Sequence, residues 1–190
     1  LGEQNMVEGF SEIREFVESH PDDVLLMTFE SHISAADTSE AMTDAGLDVL
    51  AYAHELGTDW PTLRQLLNEE TPVIAFTSNA DGGPAWLMDQ WTHWLDTPYG
   101  QASLAEVDDY ETSCIEERGE PTSATLFNIN HFMTAPIANP EDAGNMNTWT
   151  RLAARSEACE NLTGRFPNQI LVDFANLGDV VGFVEHLNRE

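Results

Sequence analysis

The sequence predicts an α/β fold, and three observations lead to that prediction. Four short and almost entirely apolar runs have the length of strands that are buried on both faces of a sheet. Between these runs lie stretches in which apolar residues recur every three or four positions, as they do on the buried side of a helix. The alternation of the two patterns along the chain is typical of parallel βαβ units. With 190 residues, the chain is long enough for one domain with a substantial core.

In the first half of the chain, the sequence pattern predicts three helices and two strands. The apolar residues Val7, Phe10 and Ile13 begin a helical repeat that stops near His20-Pro21, where the proline ends the helix. In chain order, the predicted elements are a helix over 7–17, a strand over 24–29, a helix over 39–53 with Ser39 as its cap, a helix over 63–68 capped by Thr62, and a strand over 73–76.

The second half is less regular. Residues 81–122 hold Trp86, Trp91 and Trp94 at roughly helical spacing, followed by acidic sequence that we interpret as long loops. Beyond them we predict a strand over 125–129, a loop over 136–147, a helix over 147–159, a strand over 170–174 and a helix over 180–187. The four strands fit an open doubly wound sheet and equally fit half of an eight-stranded barrel, because periodicity does not separate the two. No GxGxxG turn follows a strand, which counts against a dinucleotide site.

The charge of the chain is far from ordinary. There are 34 acidic and 7 basic residues, all seven basic residues are Arg, and the formal net charge is −27. This charge argues against a nucleic-acid partner, because phosphate contacts need a positive surface, and it disfavours docking onto anionic lipids for the same reason. The acidic residues form either a solvated coat, as in a saline medium, or a cation-binding face. The absence of Lys excludes a P-loop lysine and a Schiff base.

The two cysteines and the first residue bear on the compartment and the completeness of the chain. Cys114 and Cys159 fit a disulfide across a long loop or two free thiols; we favour the disulfide, which indicates an oxidising compartment. Asn161-Leu162-Thr163 is an N-glycosylation triplet, a pattern that is common by chance.

Leu1 opens the chain and an amphipathic pattern starts almost at once, so we expect a single domain over 1–190 that is incomplete at its N-terminus. No apolar run is long enough to span a membrane.

Polar side chains follow each of the four predicted strands. In parallel folds these strand ends meet at one edge, where binding and catalytic residues gather. A carboxylate directly after an apolar strand is costly to bury, so Glu30 and Asp173 are expected to be hydrogen-bonded, metal-bound or at a cleft. Each could instead cap a helix or tether a loop. Together with Asn130 and His131 they predict a shared site whose oxygen ligands suit Ca²⁺ or Mg²⁺. His32 and His131 are the candidate acid–base histidines.

Several segments together resemble the X domain of phosphatidylinositol-specific phospholipases C. The resemblance covers nearly the whole chain in order and spacing. Its segments are Glu12-Ile13-Arg14-Glu15-Phe16, His20-Pro21-Asp22-Asp23-Val24-Leu25-Leu26, Phe29-Glu30-Ser31-His32, Trp60-Pro61-Thr62-Leu63, Ser113-Cys114, Arg118-Gly119, Leu126-Phe127-Asn128-Ile129-Asn130-His131-Phe132 and Phe166-Pro167-Asn168-Gln169-Ile170-Leu171-Val172-Asp173-Phe174.

The resemblance implies a fold, an activity and residue roles. The fold would be a TIM-type barrel of which this chain holds the C-terminal strands and helices. The activity would be phosphodiester cleavage by attack of a neighbouring inositol hydroxyl, with two catalytic histidines upstream of this chain. Glu30 would match a Ca²⁺ ligand, Asp173 an acid that orients the base histidine, and Asn130 and His131 would line the mouth of the barrel. The cysteines would match the disulfide of secreted members, which implies a secreted protein.

Three functional hypotheses follow from the sequence. The leading one is a phospholipase-C-like phosphodiesterase that acts on a phosphodiester or phospholipid headgroup, in which this chain alone is inactive and needs the missing N-terminal half of the barrel. A second is a non-catalytic binding module of the same family, suggested by the acidic composition and the absence of lysine. The third is an unrelated acidic α/β binding protein with an open sheet.

Overall fold

The computed structural model describes residues 5–30, 32–134 and 138–189 of the chain. Within them the fold is α/β, as predicted, and its strands form two small parallel sheets of three strands each. The chain packs as two compact units, Leu1–Thr92 and His93–Glu190, with one sheet in each. The four predicted strands are all present, two per sheet, and each sheet gains a three-residue strand that the sequence did not reveal.

The first unit contains the sheet with strand order β1-β2-β3. Its elements are α1 (Met6–Ser19), β1 (Leu25–Phe29), α2 (Ala35–Asp44), a 3₁₀ turn (Asp48–Leu50), α3 (Leu63–Asn68), β2 (Val73–Thr77) and β3 (Leu87–Asp89), and the short helix α4 (Gln90–His93) follows directly. The core lies where α1 and α2 pack against one face of this sheet, with Phe10, Met27 and Met42 among its buried residues.

Local sequence explains most of these boundaries. The predicted cap of α3 is confirmed: Thr62 and Gln65 form a reciprocal capping box, in which the Thr62 N–H donates to the Gln65 side chain at 2.8 Å. The helix predicted over 39–53 is wrong at both ends. Ser34, not Ser39, is the cap that accepts the Asp37 N–H at 3.1 Å, and the helix stops before Gly46, whose φ of +68° suits glycine.

Strand β2 is buried along its whole length, which agrees with its unbroken apolar sequence. The same prediction for the run that forms β1 is wrong, because β1 buries only one face. Met27 points into the core, whereas Leu26 on the opposite face is 36% exposed.

The second unit contains the sheet with strand order β4-β5-β6. Its elements are β4 (Trp94–Asp96), α5 (Leu104–Asp108), α6 (Tyr110–Ser113), β5 (Leu126–Asn130), α7 (Pro140–Met146), α8 (Trp149–Thr163), β6 (Gln169–Leu171) and α9 (Val180–Leu187). The tryptophans that were spaced like a helix lie in a turn, in α4 and in β4.

Two further predictions in this unit need correction. The predicted loop over 136–147 contains α7, which Asn139 caps by accepting the Asp142 N–H at 2.9 Å; residues 135–137 lie outside the described part of the chain. The strand predicted over 170–174 ends at Leu171, because the backbone turns away and Phe174 has a φ of +49°.

The two faces of the second sheet differ in chemistry. Leu95, Phe127 and Ile129 form the apolar face and pack with the cysteines of a disulfide between Cys114 and Cys159, which confirms the predicted bond. Residues of the opposite parity, Asp96, Asn128 and Asn130, form a polar face that is nonetheless buried. A sheet thus carries a carboxylate and two amides where apolar side chains usually lie.

None of the helices in the described ranges combines the length and the apolar character needed to cross a bilayer.

Candidate functional site

The buried polar face leads to a cluster at the carboxyl ends of β4 and β5. Asp96 is the last residue of β4 and its side chain is only 2% exposed. The guanidinium of Arg118 binds it in a fork: Nε donates to Oδ1 at 3.2 Å and a terminal nitrogen donates to Oδ2. Arg118 itself is 38% exposed and lies over the ring of Tyr99, 4.3 Å from its centroid. A buried carboxylate therefore fixes a partly exposed cation at this edge.

Asn130, one of the predicted site residues, belongs to this cluster. Its side-chain Nδ2 donates to Asp96 Oδ2 at 3.1 Å and also to the carbonyl of Thr97. Its own N–H donates to Thr97 Oγ1 at 2.9 Å, and its Oδ1 accepts from Asn128 at 3.0 Å. We call these five residues, Asp96, Thr97, Arg118, Asn128 and Asn130, the Asp96 network.

One buried hydrogen-bond acceptor of the Asp96 network has no donor within the described part of the chain. The Oδ1 atom of Asn128 is buried and finds no hydrogen-bond partner among the residues that the structure describes. An unpaired buried acceptor costs about 1–3 kcal/mol, so it is seldom kept without a compensating water, ligand or function.

The chain segment that carries Arg118 is hydrogen-bonded to the backbone of β4. The Asp96 N–H donates to the Arg118 carbonyl at 3.1 Å, and the Glu117 N–H donates to the Asp96 carbonyl at 2.9 Å. Gly119 follows with a φ of +108°, and a side chain there would place its Cβ 2.0 Å from the Trp94 carbonyl oxygen. Only glycine therefore lets the Arg118 segment approach the strand this closely.

His131, predicted as a candidate acid or base, lies on the other side of the strand end from Asn130. The ring is 1% exposed, and Nε2 donates to the Met146 carbonyl oxygen at 2.9 Å, which assigns the proton to that nitrogen. Burial lowers the pKa of His131 from 6.5 to about 4, so the ring is neutral at pH 7. A buried neutral imidazole held by a carbonyl is placed to support structure rather than to exchange protons with a substrate.

Asp173 and His131 lie near each other in the second unit. Both line a small cavity with room for about one water molecule, which Asn147 also borders. The half-buried Asp173 follows β6, and its carbonyl accepts from Asn147 Nδ2 at 2.9 Å. Gly178 lies against Asn147 with a φ of +77°, and a Cβ there would sit 2.3 Å from the Asn147 carbonyl oxygen, so both the backbone conformation and the close approach require glycine. The structure thus splits the predicted site residues of the second unit between two places, the Asp96 network and this cavity.

Glu30 belongs to the first unit, where it follows β1. Its carboxylate is exposed and lies 3.0 Å from Nε2 of His32; Ser31 between them lies outside the described residues. Across the described ranges, no group of three or more His, Cys, Asp or Glu side chains is placed to hold a metal ion. Calcium takes six to eight oxygen ligands, and one exposed carboxylate does not supply them. A Ca²⁺ site at Glu30 therefore stays a prediction, as does its proximity to Asp173.

Comparison with known proteins decides the family. The family model described as PI-PLC X 1 matches residues 2–188, almost the whole chain. The chain belongs to the PI-PLC X domain family. Among curated X-domain proteins, it is 27% identical to PI-PLC X domain-containing protein 1 of Arthroderma benhamiae over 192 aligned residues, which cover 89% of this chain and 60% of that protein.

A second X-domain relative comes from a plant. The chain is 26% identical to a PI-PLC X domain-containing protein of Arabidopsis thaliana, across 94% of this chain and 42% of that protein. The X-domain chain thus spans less than two thirds of either relative. No solved structure matches it significantly. Membership confirms the resemblance read from the sequence and excludes an unrelated α/β binding protein.

Sequence reasoning missed the centre of the Asp96 network. Asp96 follows only two apolar strand residues, too few to stand out within a region interpreted as loops. Arg118-Gly119 was noted for the resemblance but given no role. The available signal was an acid at the end of Trp94-Leu95, together with an arginine in a chain that has only seven.

Proposed function

We propose that this X-domain chain is part of a phosphodiesterase that cleaves a polyol phosphodiester, such as the headgroup linkage of a phosphoinositide. The observation that carries the proposal is the Asp96 network at the carboxyl ends of β4 and β5, the edge at which parallel α/β folds place their active sites. Family membership supports the same reaction class. The two small parallel sheets, which end in polar residues, are compatible with a partial TIM-type barrel.

Arg118 is the residue of the Asp96 network that we assign to the substrate phosphate. A guanidinium recognises phosphate through paired N–H donors, and a cation held in place needs no reorganisation as charge develops on the phosphoryl oxygens. The buried Asp96 carboxylate binds this guanidinium, and the Tyr99 ring packs against the face of the guanidinium in a cation–π contact. In a chain without lysine, such an arginine takes the place of a phosphate-binding lysine.

The proton transfers are assigned to residues outside the chain. In the proposed reaction a base takes the proton from a hydroxyl next to the diester, its oxygen attacks phosphorus, and an acid protonates the departing alkoxide. His131 is unsuited to either role, since it is buried, neutral and bonded to the Met146 carbonyl. We therefore propose that Asp173 and His131 act in support, and that both catalytic histidines come from upstream sequence, as the resemblance to phosphatidylinositol-specific phospholipases C implies.

The test is an assay of the full-length protein from its complete coding sequence, with phosphatidylinositol vesicles and a soluble chromogenic inositol phosphodiester. Both substrates are assayed with Ca²⁺ and with a chelator, which tests the metal separately. Cleavage of either diester supports the proposal. A folded full-length protein that cleaves neither, with or without Ca²⁺, refutes it.

A matched pair of variants tests the role of Arg118. Arg165 also binds a carboxylate, Glu116 at 2.7 Å, and is comparably exposed at 29%. However, it donates to the Ala124 carbonyl, which lies at the amino end of the same sheet. Arg118→Gln is expected to lower kcat/KM on the order of a hundredfold, whereas Arg165→Gln should leave it within about threefold. Equal effects of the two substitutions would contradict the assignment.

The acidic composition of the chain favours one alternative, a non-catalytic binding module. A binding module predicts a different result from the phosphodiesterase assay. The full-length protein would bind the inositol phosphodiester without cleaving it, and Arg118→Gln would abolish this binding. Secretion is part of the proposal in either case, supported by the disulfide between Cys114 and Cys159.

A further inference from the structure

We propose that Asn161 is an N-glycosylation site. Asn161-Leu162-Thr163 is the one place in the printed sequence where Asn is followed by any residue except Pro and then by Ser or Thr. Such a triplet alone occurs often by chance, so the inference depends on where the structure places it.

The first structural support is the disulfide two residues away. Cys159 is fully buried and bonded to Cys114, a pairing typical of chains that mature in an oxidising compartment, which is also where N-glycans are attached. The sequon and the disulfide are independent features of the sequence. Both indicate the same route through the cell.

The second support is the geometry of the last turn of α8. Asn161 and Cys159 are two positions apart, about 200° around a helix, so a buried cysteine places the asparagine outward. Asn161 is exposed, as are its neighbours Glu160 and Leu162, the latter at 57%. The helix ends three residues later at Gly164, where an added side chain would meet no atom within 4 Å. A bulky glycan therefore meets open space.

The third support is the apolar surface beside the sequon. Leu162 and Ile115, which are 57% and 52% exposed, border a shallow depression next to the disulfide. Exposed apolar patches favour association, and a glycan is a solubilising surface group. A sugar chain on Asn161 would stand next to this depression and hydrate it.

The chemistry is a group transfer from a lipid-linked sugar. The donor is an oligosaccharide bound through its anomeric carbon to a polyprenyl phosphate or diphosphate. The side-chain nitrogen Nδ2 of Asn161 forms a bond to the anomeric carbon, the carbon–oxygen bond to the lipid phosphate breaks, and the nitrogen gives up one proton to a base of the transferase. The polyprenyl phosphate or diphosphate leaves with the bonding electron pair.

Trypsin makes the test direct because the chain has no lysine. Cleavage after Arg155 and Arg165 releases residues 156–165, a peptide that holds both Cys159 and Asn161 and no other asparagine. The full-length protein is secreted from cells that glycosylate, free thiols are blocked with one alkylating reagent, and disulfides are then reduced and labelled with a second. Mass spectrometry of this peptide reports disulfide formation and glycan attachment together.

The expected result is a glycan mass on the peptide that carries the second label. Asn161→Gln and Thr163→Val should abolish the glycan, whereas Thr163→Ser keeps the triplet and should retain it. An unmodified Asn161 in a peptide with an oxidised Cys159 would overturn the proposal. A peptide with Cys159 blocked by the first reagent and Asn161 unmodified would overturn it as well, because both the proposed glycan and the disulfide that supports it would be absent. The readout is independent of phosphodiesterase activity.

Discussion

Replacing Asp96 by Asn tests whether the Asp96 network is held by its buried charge. The substitution keeps the shape of the side chain but removes the anion that receives the Arg118 fork and a donor from Asn130. Breaking a buried, hydrogen-bonded ion pair costs about 3–5 kcal/mol when the partner stays buried. Because the Arg118 side chain is 38% exposed and regains water, we expect the lower end, about 3 kcal/mol.

The second unit supplies a control of the same chemistry. Arg151 binds both oxygens of Asp108, at 2.6 and 2.7 Å, but the Asp108 side chain is 42% exposed. Exposed pairs contribute about 0–1 kcal/mol, so Asp108→Asn should cost at most that amount. The assay is urea unfolding followed by near-ultraviolet circular dichroism at fixed salt, since a net charge of −27 makes stability depend on ionic strength.

The difference in free energy of unfolding between the two variants decides whether burial of the Asp96 carboxylate matters. If Asp96→Asn and Asp108→Asn lower the free energy of unfolding equally, burial of the Asp96 carboxylate is not what fixes Arg118. If only Asp96→Asn is costly, adding Arg118→Gln to it should cost little more, because the two side chains act as one unit.

Three further predictions concern stability. Removing the disulfide with Cys114→Ser and Cys159→Ser should cost about 4 kcal/mol from the entropy of a loop of 45 residues, measured by urea unfolding with and without reductant. The pKa of His131 is depressed from 6.5 to about 4, so its neutral form stabilises the fold fully above pH 6.5, and that stability is lost as pH falls toward 4. Wild type should lose up to about 3 kcal/mol more than His131→Gln across this window; parallel curves would contradict the burial argument. Gly178→Ala should destabilise by about 1–3 kcal/mol, since its φ is +77° and its Cβ would collide with backbone. The matched Gly144→Ala, in open space on α7, should instead be neutral or stabilising by up to about 1 kcal/mol, and thermal melts distinguish the two.

The strands and helices with strong local signals were predictable from the sequence. β2 is a continuous apolar run because it is the central strand of its sheet, and α3 carries a capping box that needs no tertiary contact. Strands β3 and β4 were missed because three residues show no period. Helix α7 carried its signal in Asn139-Pro140, a cap followed by proline at the first helical position, but the surrounding polar residues concealed it.

Part of the candidate site was predictable for the same reason. Asn130 and His131 follow a recognisable strand, and Asp173 lies in the last part of another predicted strand, so their place near strand ends could be anticipated. What the sequence could not show is which side of the strand end each side chain takes. Asn130 faces Asp96 whereas its neighbour His131 faces Met146, a consequence of alternating side-chain direction that needs the sheet itself to be known.

The buried polar face of the second sheet also has a consequence for how its short strands find their alignment. β4 and β6 have three residues each, too few for an apolar pattern to distinguish the correct pairing from one shifted by a residue. In the native register Asp96 pairs with Asn128, and the amide of Asn130 lies within reach. A shift by one residue would set Phe127 or Ile129 opposite the carboxylate and leave it buried without its amide donor, at a cost of several kcal/mol. The network therefore selects one register, and that register is the one in which the Arg118 carbonyl accepts the Asp96 N–H and its guanidinium binds the Asp96 carboxylate.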